Sequence, residues 1–253
     1  MIDTHAHLDG CDDPAALLVE RARAVGVTRI VTIGTGLASS RAAIAIAEHE
    51  QGVYAVVGID PHQAGGEEAD RVGELAALLG HDSVVGVGET GLDYYHDLAP
   101  RPSQRKLFEE QLQLATESSL PVVIHTRDAD VDTADVLAGF AGTVILHCFS
   151  APGLLDVAVE RGYYVSFAGN VSYPKARELR DAAAAVPAER ILAETDSPYL
   201  APQPLRGKRN EPANVLHTLA VLAEARGEDV PALERQIDAN ATAAFGLPDQ
   251  PLP

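Results

Sequence analysis

Lysine, cysteine and long apolar runs are scarce in this chain of 253 residues, and each scarcity excludes a class of protein. The two cysteines, Cys11 and Cys148, lie far apart, which argues against a disulfide scaffold and is typical of a reducing compartment. No apolar run approaches the roughly 18 residues that a membrane-spanning helix needs. Polar Asp3, His5 and His7 stand where a signal peptide would be apolar, so we expect a cytoplasmic protein that does not contact a membrane.

Positive charge is also scarce. The chain has three lysines, Lys106, Lys175 and Lys208, and its formal net charge is −18. Such acidity disfavours non-specific binding to nucleic acid, which relies on Lys and Arg to neutralise phosphates. A nucleic-acid substrate held by bound cations and a local basic patch is compatible with it. No segment indicates an obligate protein partner.

Short apolar runs alternate with amphipathic segments along the chain. Near-continuous Val, Ile and Leu predict strands buried on both faces at 1–7, 27–34, 53–60, 84–91, 120–126, 142–148, 162–169 and 190–196. Helical spacing predicts helices at 13–25, 37–50, 67–79 and 103–118, and two more after residue 211. Eight βα units in about 250 residues predict a single α/β domain over residues 1–253, a (β/α)8 TIM barrel with additional C-terminal helices. A doubly wound open sheet shows the same alternation and stays an alternative.

Ionisable side chains collect where the predicted strands end, and a TIM barrel places its active site there. His5 and His7 lie two residues apart on the first strand, so they would point to the same face. Taken singly, each side chain could be a core histidine, a turn carboxylate or a helix cap. Burying several of them at apolar strand ends is costly unless they are paired or bound to metal. We therefore predict metal ligands at His5, His7, Glu89, His125, His147 and Asp196.

Six protein ligands exceed the three or four of one catalytic zinc. They suit two divalent cations, Zn²⁺, Mg²⁺ or Mn²⁺, that share a bridging carboxylate. The simplest partition gives each ion its own ligands. One ion is bound by His5, His7 and Asp196, and the other is bound by His125 and His147. Glu89 lies on a strand between the two sets and is predicted to bridge them. Asp196 is the candidate general base, so Glu89 and Asp196 are the predicted catalytic residues.

Six segments, in this order, resemble the TatD family of metal-dependent deoxyribonucleases: 3–9, 88–95, 121–127, 146–150, 192–198 and 206–212. The resemblance runs along nearly the whole chain, and six motifs together are highly specific. It implies a TIM barrel of the amidohydrolase type and a divalent-metal phosphodiesterase acting on DNA, commonly as a 3′→5′ exonuclease on single strands or 3′ ends. It also implies the same six metal ligands.

The chain departs from the family pattern at two positions. Around the third strand the family often has His-Pro-His, where this chain has Asp60, Pro61 and His62, so a carboxylate changes the local charge. After His-Cys-Phe-Ser the family usually has Gly, where this chain has Ala151, which alters loop freedom. Neither change touches the predicted ligands, and both bear on substrate preference.

Local positive charge predicts where a substrate phosphate would bind. Arg206, Lys208 and Arg209 fall in the loop after the eighth strand, where TIM barrels often bind phosphate. Arg127 should share a face with His125, and it could meet a phosphate or orient a ligand carboxylate. His62 is also predicted to reach a substrate phosphate.

Further residues near these motifs have supporting or open roles. Asp93 is predicted to support the site through hydrogen bonds. Cys148 should point away from the face of its neighbour His147, because side chains alternate along a strand, and should serve packing. The four aromatic residues of these motifs could stack on a nucleobase or be structural: Tyr94, Tyr95, Phe149 and Tyr199.

Together these residues predict a metal-dependent hydrolase that cleaves DNA phosphodiester bonds with activated water. An alternative keeps the metals but cleaves an amide or ester, as in removing a D-amino acid from tRNA. A metal-bound barrel that only binds a partner is a third reading. Many amidohydrolases bridge their metals with a carboxylated lysine on the fourth strand. Here that strand ends in Glu89 and has no lysine, which favours the TatD-like reaction.

Overall fold

The computed structural model of the chain describes residues 1–248, which contain eight parallel strands surrounded by helices. The strands are β1 (Ile2–Ala6), β2 (Arg29–Ile33), β3 (Val53–Val57), β4 (Val84–Asp93), β5 (Val122–Arg127), β6 (Val144–Leu146), β7 (Tyr164–Phe167) and β8 (Ile191–Ala193). Each overlaps one of the eight predicted runs, so that prediction is confirmed. Every residue of β1 and β2 is buried, as expected of strands covered on both faces.

The barrel closes between β8 and β1. The strands pair in chain order from β1 to β8, each parallel to the next. Just beyond β8, the backbone N–H of Asp196 donates to the carbonyl of His5 at 2.9 Å, and that of His7 donates to the carbonyl of Ser197 at 2.7 Å. A doubly wound sheet reverses its strand order at a switch point, and this sheet does not. The TIM-barrel prediction is therefore confirmed, and the open sheet is excluded.

Helices cover the outside of the barrel: α1 (Ala15–Ala24), α2 (Leu37–His49), α3 (Leu75–Leu78), α4 (Arg101–Ser118), α5 (Asp130–Leu137), α6 (Leu155–Glu160), α7 (Arg177–Ala185), α8 (Val215–Arg226) and α9 (Val230–Phe245). In α4, Leu107, Phe108 and Leu112 are buried at helical spacing. The helices predicted at 13–25, 37–50 and 103–118 and the two C-terminal helices are confirmed. Within residues 1–248, no helix combines the length and apolarity needed to cross a membrane.

The prediction of one helix over 67–79 is wrong. The segment forms a 3₁₀ helix at Ala69–Glu74 and then the single-turn α3, and Arg71 has non-helical angles of φ −108° and ψ 15°. Gly73 lies inside it, and glycine in a helix costs about 1 kcal/mol relative to alanine. Upstream, Glu68 Oε2 accepts a hydrogen bond from the backbone N–H of Leu37 at 2.5 Å. A contact with α2 therefore fixes the start of the segment at the expense of a continuous helix.

The C-terminal helix α9 seals the N-terminal end of the barrel. Asn240 Nδ2 donates to the carbonyls of Ala188 and Ile191, both at 2.8 Å. Arg29 donates to Thr242 Oγ1 at 2.8 Å. The side chains of Asn240 and Arg29 are therefore hydrogen-bonded at the N-terminal end of the barrel, as buried polar groups usually are. The opposite end, where the strands terminate, is the one that carries the ionisable side chains.

Glycines let neighbouring backbones approach closely beneath Glu89. A Cβ on Gly58, directly after β3, would lie 2.5 Å from the carbonyl carbon and oxygen of Gly88. A Cβ on Gly88 would lie 2.6 Å from the carbonyl oxygen of Val123, and its φ of +146° is one that side chains rarely adopt. The backbone N–H of Glu89 donates to the carbonyl of Gly34 at 3.2 Å. The position of Glu89 therefore depends on contacts that only glycine permits.

We expect Gly58→Ala to destabilise the barrel, because the added Cβ meets backbone rather than a side chain that can move. Overpacking of this kind costs about 1–3 kcal/mol, which urea unfolding followed by circular dichroism would measure. Gly73→Ala is the matched control, because nothing lies within 4 Å of a Cβ at that exposed position. It should leave stability unchanged or raise it by up to about 1 kcal/mol, because alanine is favoured over glycine inside a helix. Equal unfolding midpoints for the two variants would contradict this account.

Candidate metal centre

The C-terminal ends of the strands surround a cavity of about 580 Å³. A larger groove of about 1090 Å³ lies at the opposite end of the barrel, beside Tyr54 and Arg161, away from the predicted ligands. We take the smaller cavity as the candidate site, because ionisable side chains converge on it. His5 is fully buried, and the other five predicted ligands line the wall: His7, Glu89, His125, His147 and Asp196.

Four side chains form one half of the centre. His5 and His7 point to the same side of the barrel, and their Nε2 atoms are 3.2 Å apart. Asp196 reaches them across the barrel closure, with Oδ1 3.8 Å from His5 Nε2 and 3.4 Å from His7 Nε2. Glu89 Oε2 lies 3.5 Å and 3.6 Å from the same two nitrogens. The ligand atoms of His5, His7 and Asp196 lie close enough together to hold one cation.

The other half uses the second oxygen of Glu89. His125, in β5, places Nδ1 2.9 Å from Glu89 Oε1, and His147, directly after β6, places Nε2 3.0 Å from the same atom. These two nitrogens are 3.4 Å apart. Glu89 therefore lies between two histidine pairs and turns one oxygen towards each. The structure brings the six predicted side chains together. The ligand atoms of His5, Glu89 and His147 also lie within 4.8 Å of one another, so the partition into two ligand sets stays a prediction.

The outer ring nitrogens of the histidines indicate what the inner ones can bind. Three of them face an oxygen. His7 Nδ1 lies 3.3 Å from the backbone carbonyl oxygen of Ile33, and His125 Nε2 lies 3.0 Å from Asp93 Oδ2. His147 Nδ1 lies 3.3 Å from Glu194 Oε1. An outer hydrogen bond of this kind fixes the tautomer and leaves a lone pair facing inward, as in metal-binding histidines. His5 Nδ1 is buried and has no hydrogen-bond partner among the described residues. Imidazole and carboxylate donors arranged in this way fit divalent cations.

The charges of the centre compensate one another. Burial acts to raise the pKa of Glu89, but the positive charge of His147 and the hydrogen bond from His125 hold that pKa well below its usual value. Burial acts to raise the pKa of Asp196, but the hydrogen bond from His7 and the positive charges of His5, His7 and His147 together lower it. Burial acts to lower the pKa of both histidines, but carboxylate contacts raise it to about 8 for His7 and about 9 for His125. Without metal, protons on the imidazoles supply the positive charge that the two carboxylates require.

Two buried carboxylates behind the centre were missed in the sequence analysis. Asp3 accepts hydrogen bonds from Thr195 N at 2.9 Å and Thr195 Oγ1 at 2.6 Å, and it joins β1 to the segment after β8. Burial raises the pKa of Asp3 to about 8. Glu194 Oε1 accepts a hydrogen bond from Cys148 N at 2.8 Å and also faces His147. Each carboxylate stands two residues before a predicted ligand, so the spacing that marks the first two histidines would have found them.

Two of the predicted substrate-binding residues line the cavity. His62 places Nε2 3.0 Å from Asp93 Oδ2 and Nδ1 3.9 Å from Asp60 Oδ2, so both of its nitrogens face carboxylates. Asp60 also lines the cavity, and burial raises its pKa to about 6. Arg127 carries its guanidinium 4.1 Å from the centre of the Tyr95 ring. It contacts an exposed aromatic residue and is available to a ligand in the cavity.

The three cations predicted in the loop after β8 are exposed, and none of them is among the described residues that line the cavity. Arg206 lies over the ring of Tyr173 at 4.4 Å. Arg209 forms an ion pair with Asp12, with Nη2 2.9 Å from Oδ1. Lys208 lies between them in sequence. A phosphate would have to compete with Asp12 for Arg209.

The four aromatic residues fall into two groups. Tyr199 is 57% exposed and lines the cavity, and Tyr95 is 60% exposed beside it. Phe149 is buried and packs edge-on against Phe167, so it belongs to the core. Tyr94 is half-buried and lies under Arg101. Only the first group is placed to meet a ligand.

Two loop positions differ from what the sequence indicated. Cys148 lines the cavity, so the prediction that it points away from the face of His147 is wrong. Strand alternation does not apply there, because β6 ends at Leu146 and Cys148 has a left-handed φ of 43°. Burial raises the pKa of the Cys148 thiol well above its usual value, so it stays protonated. Ala151 has φ −115°, which any residue adopts, so no glycine is required there.

Comparison with known proteins agrees with this geometry. The family model described as "TatD related DNase" matches residues 2–246. The "Uncharacterized metal-dependent hydrolase TatD" of Mycobacterium tuberculosis is 42% identical over 98% of each chain. The "3'-5' ssDNA/RNA exonuclease TatD" of Cronobacter sakazakii is 38% identical over 90% of each. The crystal structure of YJJV, a TatD homologue from Escherichia coli K12, has a TM-score of 0.91 and 31% identity over 98% of each chain.

The barrel, the ionisable centre and these similarities define the class of protein as a metal-dependent hydrolase. More particularly, the chain belongs to the TatD family.

We expect the stability of the metal-free protein to fall as the pH rises from about 6.5 to about 9. Folding raises the pKa of His7 from 6.5 to about 8 and that of His125 from 6.5 to about 9. The stability that these two histidines contribute is therefore complete below pH 6.5, and it is lost as the pH rises through the folded-state pKa values. Asp3, neutral in the fold up to about pH 8, acts in the same direction. Urea-unfolding midpoints of chelator-treated protein at three pH values measure the effect. His125→Asn should reduce the slope, His81→Asn should keep it, and a midpoint that rises with pH would contradict the account.

Proposed function

We propose that this protein uses two divalent cations to hydrolyse nucleic-acid phosphodiester bonds, as a 3′→5′ exodeoxyribonuclease. The observation that carries the proposal is the placement of Glu89, whose two oxygens face two different histidine pairs. One carboxylate between two sets of nitrogen donors is suited to bridging two cations. The proposed ligands are His5, His7, Glu89, His125, His147 and Asp196.

The donor set supports a choice among cations. Four imidazoles favour Zn²⁺, and the carboxylates are also compatible with Mn²⁺ and Mg²⁺, so we propose Zn²⁺ or Mn²⁺ ahead of Mg²⁺. When bound, such a pair polarises the phosphoryl group and lowers the pKa of water. The two free thiols, Cys11 and Cys148, suit the reducing cytoplasm that we propose as its location.

Asp196 is the proposed general base. Its carboxylate lines the cavity, and its lowered pKa keeps it ionised at neutral pH, so it can accept a proton from the attacking water. His7 holds Asp196 in place, with Nε2 3.4 Å from Oδ1. Glu194, behind His147, would fix the direction of that ring.

The mouth of the cavity supports a nucleic-acid substrate. Arg127 offers a guanidinium that matches phosphate oxygens, and its partner Tyr95 presents an exposed ring on which a base could stack. Tyr199 is a second exposed ring at the cavity. With a net charge of −18, the chain has little long-range attraction for polyanions, so affinity has to come from these contacts and the cations.

The size of the cavity and the relatives support action at a strand end. A volume of about 580 Å³ is in the range of small-ligand pockets, which favours a terminal nucleotide over a duplex. A relative at 38% identity is named for 3′→5′ exonuclease activity on single-stranded DNA and RNA. We therefore propose single-stranded DNA as the substrate, bound through its 3′ end.

The decisive assay follows 5′-labelled single-stranded DNA with Zn²⁺, Mn²⁺ or Mg²⁺, beside RNA, ester and amide substrates. We expect a metal-dependent ladder that shortens from the 3′ end. Asp196→Asn should lower kcat by about 10²- to 10⁴-fold, the usual contribution of a general base. Asp156→Asn, the same change at an exposed position on α6, is the control. Ester or amide turnover without cleavage of DNA under any cation would refute the nuclease proposal in favour of the other hydrolase reaction.

We expect Arg127→Ala to raise KM for single-stranded DNA by about tenfold with a smaller effect on kcat, because a phosphate contact of this kind is worth about 1–2 kcal/mol. Arg190→Ala is the matched control, since Arg190 lies over Tyr164 at 4.8 Å, at the other end of the barrel. Arg206→Ala tests the loop predicted from the sequence. A KM unchanged in Arg127→Ala but raised in Arg206→Ala would move the phosphate site to that loop.

A further inference from the structure

Beside the proposed centre, the carboxylate of Asp93 faces more nitrogen atoms than it can accept hydrogen bonds from. Its Oδ1 accepts from the backbone N–H of Tyr95 at 3.0 Å and of His96 at 2.8 Å. Its Oδ2 lies 3.0 Å from His62 Nε2, 2.8 Å from His96 Nδ1 and 3.0 Å from His125 Nε2. An ionised carboxylate has about four lone-pair sites, so these five contacts exceed its capacity.

The three imidazoles around Asp93 are not equivalent. His125 already has a role for both nitrogens, because Nδ1 faces Glu89 and Nε2 donates to Asp93. His62 and His96 lie on loops after β3 and β4, and their side chains are 32% and 43% exposed. Their nitrogens could therefore point a lone pair, rather than a proton, towards the region of Asp93 Oδ2.

We propose that His62, Asp93 and His96 bind a third divalent cation, separate from the pair assigned to Glu89. Both imidazoles face the same carboxylate oxygen, with His62 Nε2 3.0 Å and His96 Nδ1 2.8 Å from Asp93 Oδ2, and the centres of the two rings are 5.4 Å apart. Two imidazoles and one carboxylate form a donor set that Zn²⁺ accepts, with a further position left for water or an anion. His125 keeps its hydrogen bond to Asp93 and belongs to the other centre.

The position of this site would make it useful to an anionic substrate. His62 and His96 both line the cavity that contains Glu89, so a cation there would add positive charge to the entrance of an acidic protein. Oδ1 of Asp93 is held by the backbone N–H groups of Tyr95 and His96, so the buried carboxylate keeps Oδ2 turned towards the imidazoles. The inference goes beyond the proposed function and does not require it, because neither His62, Asp93 nor His96 is assigned to the first two cations.

Metal stoichiometry tests the proposal. Chelator-treated protein is dialysed to equilibrium against graded Zn²⁺, and bound zinc is measured by mass spectrometry. We expect His62→Asn and His96→Asn each to bind one equivalent per chain less than the wild-type protein. His81→Asn is the matched control, because His81 also faces a carboxylate, with Nε2 3.0 Å from Glu48 Oε1, but lies outside the cavity. It should bind as many ions as the wild-type protein, and circular dichroism checks that all variants fold.

The result separates this site from the pair at Glu89. Asp196→Asn should lose a different equivalent, and Co²⁺ absorption spectra should differ between Asp196→Asn and His96→Asn. Loss of one equivalent of zinc in both histidine variants supports the third site. If the wild-type protein binds fewer than three ions in all, that result still supports the third site, and it is the proposal of two cations at Glu89 that is refuted. Wild-type stoichiometry in His62→Asn and His96→Asn would overturn the proposal and leave Asp93 as a hydrogen-bond acceptor alone.

Discussion

Closure of the barrel between β1 and β8 is the constraint on which the rest of the molecule depends. The hydrogen bonds from Asp196 N to His5 O and from His7 N to Ser197 O complete the sheet and also set the two histidines beside the carboxylate. Asp3, buried at the same seam, adds side-chain bonds to Thr195. Residues almost two hundred positions apart meet only because the eighth strand returns to the first. A change that opened the barrel between β1 and β8 would therefore also separate the side chains of the candidate metal centre.

Burial at this seam creates an electrostatic demand that the centre satisfies internally. Ionised carboxylates such as Glu89 are costly to remove from water, and each is offset by imidazoles held within about 3–4 Å. A shell of further acceptors, Asp93 and Glu194 among them, fixes the directions of those imidazoles. The cluster therefore has the donor set of a candidate metal site, which accords with membership of the TatD family of metal-dependent hydrolases.

The sequence was sufficient to predict the eight strands and the meeting of six side chains, because a parallel barrel places all strand ends on one rim. It was insufficient where tertiary contacts override local pattern. Glu68 fixes the segment before α3 by bonding α2, and Cys148 turns into the cavity after β6 has ended. It also could not show that Arg209 is paired with Asp12, because that contact joins residues from opposite ends of the chain.

The carboxylate of Glu89 has one more consequence. Its two oxygens are bonded to the same carbon, so the offset between the two halves of the centre is set by covalent geometry and by the glycine-packed backbone beneath it. The loops around the cavity, which carry His62, His96 and Tyr199, can change in length and sequence without altering that offset. Glu89 and the barrel backbone therefore hold the spacing of the two half-sites fixed, whereas changes in the loops can alter which substrate binds.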